Sequence, residues 1–136
     1  MATQRNIQRP LLAAVALIIL ASAYVYFLTP TQEYADVTVA EAKALIEEKP
    51  DMVILDVRTP SEFDDGHIEG AINIPVDYLA ERLDELSKDD ELLVYCRTGN
   101  RSARAVGILE DAGFTKIFHM DAGITGWLDA GYPVVE

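Results

Sequence analysis

The segment Cys96-Arg97-Thr98-Gly99-Asn100-Arg101 follows the apolar run 92–95 directly and precedes a stretch with helical spacing. A thiol at the end of a buried strand and the start of a helix faces unpaired N–H groups and positive potential, which favour its ionised form. Arg97 and Arg101 add positive charge within the loop. Gly99 lets the backbone curl so that successive N–H groups face one point, an anion-binding nest. Thiolate is the nucleophilic form, so the segment suits a cysteine that attacks or carries a group, with the nest holding a thiosulfate-like anion or stabilising a persulfide. The competing reading is an inert core thiol. The order strand, Cys-Arg-Thr-Gly-Asn-Arg, helix weighs against it.

Cys96 is the only cysteine among 136 residues. An intramolecular disulfide, a multi-cysteine zinc site and a Cys-x-x-Cys redox pair are therefore excluded. The thiol works without a resolving partner on its own chain and is open to oxidation or pairing between chains. His67 reads as a hydrogen-bonded turn histidine, and His119 as a lone histidine at a strand end. No metal site and no cofactor are expected.

The elements around the loop alternate. Thr38-x-x-Glu41 has the form of a capping box, and helical spacing continues over 39–49 until Pro50. Short apolar runs at 52–55, 71–74 and 92–95 read as strands, the first covered on both faces, and 116–119 reads as another. Val76, Leu79, Leu83 and Leu86 lie on one face of a helix, and further helices are expected over 102–112 and 124–130. This alternation indicates an open α/β sheet, mostly parallel, with chemistry at the C-terminal strand ends.

With the loop, the segments Asp56-Val57-Arg58, Glu62-Phe63, Gly66-His67-Ile68-Glu69-Gly70-Ala71-Ile72-Asn73-Ile74-Pro75 and Gly123-Ile124-Thr125-Gly126-Trp127 occur in an order and spacing that resemble the rhodanese family. The resemblance implies a three-layer domain around a central, mainly parallel five-stranded sheet. It also implies a sulfurtransferase activity, in which sulfane sulfur passes from a donor such as thiosulfate to Cys96 and then to cyanide or a thiol. Cys96 is then the catalytic residue and the backbone of 97–101 its cradle. Arg101, closing the loop, is expected to meet an anionic donor, Arg97 to steer from the rim, and Thr98 and Asn100 either to offer hydrogen bonds or to stand as solvated loop polars. Near the site, Arg58 and Glu62 are expected to form a structural ion pair, Asp56 to accept from backbone N–H groups, and Trp127 to pack. Protein tyrosine phosphatases also place a cysteine at the head of an anion loop, but with C-x5-R; the present loop is C-x4-R, one residue short for phosphate. Rhodanese-fold modules that bind a partner without turnover commonly lack the cysteine, which this chain keeps. A protein-specific sulfur relay stays open.

Ahead of the domain, 11–28 is free of charge and long enough to cross a hydrocarbon core of about 30 Å at about 1.5 Å per residue. Arg5 and Arg9 precede it and acidic residues follow, so the positive-inside rule places residues 1–10 in the cytoplasm and the domain, 36–136, across the membrane. Residues 29–35 read as a linker. Ala21-Ser22-Ala23 also has the form of a signal-peptidase site, and cleavage near Ala23 would instead release an exported soluble protein. All 23 acidic residues lie from Glu33 onward and the net charge is −12. Such a surface repels phosphate, so nucleic acid is not an expected partner.

Overall fold

The computed structural model describes residues 5–29 and 33–136, with side chains from Leu12 onward. They form two units, divided after Thr31. The first is one helix, α1 (Arg5–Leu28), whose side chains from Leu12 to Leu28 are exposed, Leu17 and Ile18 at 67% each. Among the described residues no helix is long and apolar enough to cross a membrane. The membrane-crossing segment expected over 11–28 is thus present as a helix, without meeting that criterion. Residues 1–4 of the expected N-terminal segment and 30–32 of the expected linker lie outside the described residues.

The second unit holds five parallel strands, β1 (Glu33–Val37), β2 (Val53–Asp56), β3 (Ile72–Asn73), β4 (Leu92–Tyr95) and β5 (Lys116–Met120), in the order β1-β5-β4-β2-β3. Glu33, Tyr34 and Ala35, read from sequence as linker, are the first half of β1. The helices are α2 (Val39–Glu48), α3 (Pro60–Asp64), α4 (Val76–Leu79), α5 (Asn100–Asp111) and α6 (Gly123–Asp129). Thr38 and Glu41 form the expected capping box at α2, and Thr59 with Glu62 forms a second at α3.

Strand side chains alternate between two cores, which makes the domain three-layered. Leu55, Leu92, Val94, Cys96 and Ile117 pack with α4 and α5, whereas Ile54, Leu93, Tyr95 and Phe118 pack with α2 and α6. The single helix expected along Val76, Leu79, Leu83 and Leu86 is broken. α4 ends at Leu79 and a 3-10 turn covers Leu83–Glu85, linked by Glu81 N–H to Tyr78 O and Arg82 N–H to Leu79 O. Pro75 gives α4 no side-chain cap, and so short a helix has little to offset nucleation. All four apolar residues still reach the core, because two short turns keep the same face inward.

Tyr95, fully buried on β4, lies opposite Asp56 in register, and its hydroxyl accepts from Ile68 N–H at 3.1 Å. Burial and the Asp56 carboxylate hold its phenol far above the ordinary value. Tyr95→Phe leaves the Ile68 N–H unsatisfied. It should cost about 1–3 kcal/mol, read from urea unfolding, with faster hydrogen exchange at the Ile68 amide.

Candidate active site

β4 delivers Cys96 to the C-terminal edge of the sheet, where the residue is 1% exposed. Gly99 then turns the chain at φ 99° as the N-cap of α5, a conformation open to glycine. That turn brings Gly99 N–H to 3.1 Å from Cys96 Sγ, and Ser102, in the first turn of α5, places its Oγ 3.3 Å from the sulfur. Burial is the largest influence on the thiol and opposes its ionisation. It is outweighed by hydrogen bonds from the Ser102 hydroxyl and from the backbone of Ser102, Gly99 and Thr98, so the thiol is held below its ordinary value. Of the backbone expected at 97–101, Thr98 and Gly99 reach the sulfur, Ser102 joins them from outside that range, and hydrogen bonds rather than the loop arginines lead.

The loop is clamped from behind. Cys96 O accepts from Ile124 N–H at 2.9 Å and Arg97 O from Thr125 N–H at 3.2 Å. A methyl group on Gly123, whose φ is 61°, would strike the carbonyls of Arg97 and Cys96, and one on Gly99 would strike Asp121 O. The segment 121–125 therefore sets the loop's shape by direct backbone contact.

Charges around the loop pair differently from the expectation. Arg58 does not meet Glu62; its guanidinium binds Asp56 at 2.6 Å and Gly66 O at 2.8 Å, the acid and base almost fully buried. Asp56 also accepts from Arg58 N–H at 2.9 Å, the backbone role expected of it. Glu62 takes both arms of Arg101, at 2.7 and 2.8 Å. Arg101, expected to meet an anionic donor, is thereby committed to a carboxylate. Arg97 makes no ion pair among the described residues. It lines a cleft of about 420 Å³ with Glu62, Ile124, Thr125, Leu128 and Val134, beside the loop. Thr98 and Asn100 are exposed. Trp127 packs in the core and donates to Pro133 O at 2.9 Å. His67 stacks on Phe63 and its Nδ1 lies 2.9 Å from Phe63 O, a turn histidine as expected.

Three residues at the site were not found in the sequence. Ser102 touches the sulfur, and His119 joins Ser102 to Asp36. His119 is therefore not the lone histidine expected. The available signal was Asp36 itself: once 33–37 is read as a strand beside β5, Asp36 and His119 are opposite one another. Among the described residues no group of acidic, histidine or cysteine side chains is arranged to hold a metal.

With this geometry established, comparison with known proteins gives the family. The rhodanese-like domain model matches residues 38–130, and the chain belongs to that family. It is 34% identical over 85 residues to a sulfurtransferase of Allochromatium vinosum, covering 62% of this chain and 79% of that one. It is 30% identical over 95 residues to the thiosulfate sulfurtransferase GlpE of Tolumonas auensis, covering 70% and 89%. The crystal structure of a rhodanese-related protein from Thermoplasma volcanium, 39% identical, superposes with a TM-score of 0.67 over 75% of this chain and 98% of that one.

Arg101 holds the Glu62 carboxyl at about 2, below its ordinary 4.5. A depressed carboxyl stabilises the fold above its unfolded value and loses that contribution as pH falls from about 5 toward 2. The pair is about a third exposed, so solvent screening leaves about 1 kcal/mol. Glu62→Gln, which keeps a capping side chain, should lose about that much at pH 7 and converge with the wild type near pH 2, measured by denaturant unfolding across pH.

Proposed function

We propose that the protein is a sulfurtransferase that carries sulfane sulfur on Cys96. The observation that supports this best is the Cys96 sulfur itself, buried, held by Gly99 N–H and the Ser102 hydroxyl, and below its ordinary value for ionisation. With thiosulfate as donor, Cys96 thiolate attacks the outer sulfur. The new S–S bond forms as the bond to the sulfite sulfur breaks, and sulfite leaves with the electron pair. The persulfide's terminal sulfur carries the negative charge, one bond beyond the Cys96 sulfur on which the loop N–H groups converge. A thiolate or cyanide then attacks that terminal sulfur, and Cys96 leaves as thiolate. Arg97, on the rim of the cleft and without an ion pair among the described residues, steers the anionic donor.

Intact-mass spectrometry of the full chain after incubation with thiosulfate tests this. A gain of one sulfur mass is expected, absent from Cys96→Ser and discharged by cyanide or a thiol. No adduct with any sulfane donor would overturn the reading in favour of a binding module. Arg97→Ala should raise KM for thiosulfate about 3- to 10-fold with kcat little changed, the wild-type advantage shrinking as salt rises.

For its location, we propose attachment to a membrane through α1, with the domain on the extracytoplasmic side. Support comes from the uncharged residues 11–28, the exposed apolar side chains of α1, and Arg5 and Arg9 before them. The alternative is an exported soluble protein cleaved near Ala23. An anchored chain should stay with the membrane in alkaline carbonate and expose its domain to protease added to spheroplasts. Recovery in the soluble fraction with a new N-terminus near Tyr24 would favour cleavage, and protection from the protease would overturn the orientation.

A further inference from the structure

The hydrogen bonds that reach Cys96 do not end at its loop. Ser102 Oγ, 3.3 Å from Cys96 Sγ, is also 2.8 Å from His119 Nε2. The other ring nitrogen, Nδ1, is 2.9 Å from Asp36 Oδ1, which accepts from Tyr34 Oη at 2.6 Å. Cys96, Ser102 and His119 are 1%, 0% and 4% exposed, whereas the Asp36 side chain is 60% exposed. A single polar chain therefore runs from the buried sulfur to solvent. The register explains how: His119 lies opposite Asp36 on one side and Val94, two residues before Cys96, on the other.

The number of hydrogens in this chain restricts its states. An ionised carboxylate only accepts, and Tyr34 and His119 hold the Asp36 carboxyl below its ordinary range by hydrogen bonding. Nδ1 of His119 therefore carries a hydrogen. If the ring is neutral, Nε2 is an acceptor, the Ser102 hydroxyl donates to it, and only lone pairs of Oγ remain for Cys96. The sulfur must then be a thiol donating to Oγ. If the ring is an imidazolium, Nε2–H donates to Oγ, and the Ser102 hydrogen, which has Gly99 O at 3.0 Å as its other acceptor, turns to the thiolate because a charged acceptor binds it more strongly. With a neutral ring beside a thiolate, the one Ser102 hydrogen could serve only one of them, and an oxygen lone pair would face either the anion or the Nε2 lone pair.

We propose that His119 is a positioning residue for Cys96, receiving the thiol proton through Ser102 and holding the sulfur as the remote partner of a thiolate–imidazolium pair, with Asp36 fixing the ring. The transfer is balanced. The Sγ–H proton passes to Ser102 Oγ as the Oγ–H proton passes to Nε2, with no change in net charge and no oxidation. The inference rests on the sulfur-carrier reading only for its purpose, not for its chemistry. The titratable groups that bear on the chain are Tyr34 and Asp36 on β1, Cys96 after β4, Arg101 and Glu110 on α5, and Asp121 after β5.

The test is the rate of alkylation of Cys96 by iodoacetamide against pH in the full chain, where no other thiol reports. The wild type should show two steps, one as the pair forms and one as the imidazolium loses its proton. His119→Gln and Ser102→Ala should each show one step, displaced upward by a pH unit or more, and react about tenfold more slowly near pH 6. Because His119 and Ser102 are buried, Asp36→Asn at the surface serves as the variant that keeps the fold, with a shift of the same sign. The His119 ring, followed by NMR, should titrate at lower pH in Cys96→Ser, since coupling is reciprocal. A merely structural histidine would move neither. Unchanged alkylation profiles in the folded variants, or a His119 titration indifferent to Cys96→Ser, would overturn the proposal. Alkylation needs no sulfur donor, so failure to form a persulfide would count against the sulfurtransferase reading alone.

Discussion

A peptide unit points its N–H and its C=O in opposite directions, and the loop after β4 is built around that constraint. For its N–H groups to converge on the Cys96 sulfur, its carbonyls must point away and find donors elsewhere. Ile124 and Thr125, at the start of α6, supply them through their own N–H groups. Gly123 permits the approach, since any side chain there would meet the very carbonyls that need to be held. The sulfur site is thus a property of two segments, 96–102 and 121–125, brought together by adjacent strands β4 and β5.

The charged residues serve the same purpose at longer range. Asp56 and Arg58 neutralise one another inside the domain, and Arg58 also ties down Gly66 O, so the pair fixes the turn that follows α3. Glu62 caps α3 with one part of its carboxylate's capacity and holds Arg101 with the rest, linking that short helix to the first turn of α5. With Arg101 so engaged, Arg97 is the loop cation that faces the cleft.

How much of this was legible follows from where each signal resides. The central strands are continuous apolar runs and were read almost to the residue; β4 covers 92–95 as expected. β1 was not, because Glu-Tyr-Ala-Asp-Val is an edge strand with one covered face and polar residues on it, so it lacks an apolar run. The cysteine loop was legible because its residues are contiguous. The partners of its charges were not, since Arg58 has acids two and four residues away and sequence distance does not choose between them; burial of Asp56 does. Ser102, His119 and Asp36 come from three elements, and only the β1–β5 register aligns them.

The depth of Cys96 also decides what another molecule can meet. Two copies cannot bring their Cys96 sulfurs to the roughly 2 Å of a disulfide unless both loops open, so the lone thiol is shielded from pairing with its twin. A loaded cysteine differs, because its terminal sulfur extends about 2 Å beyond Sγ. A second protein's thiol would thus meet the carried sulfur before it could meet Sγ.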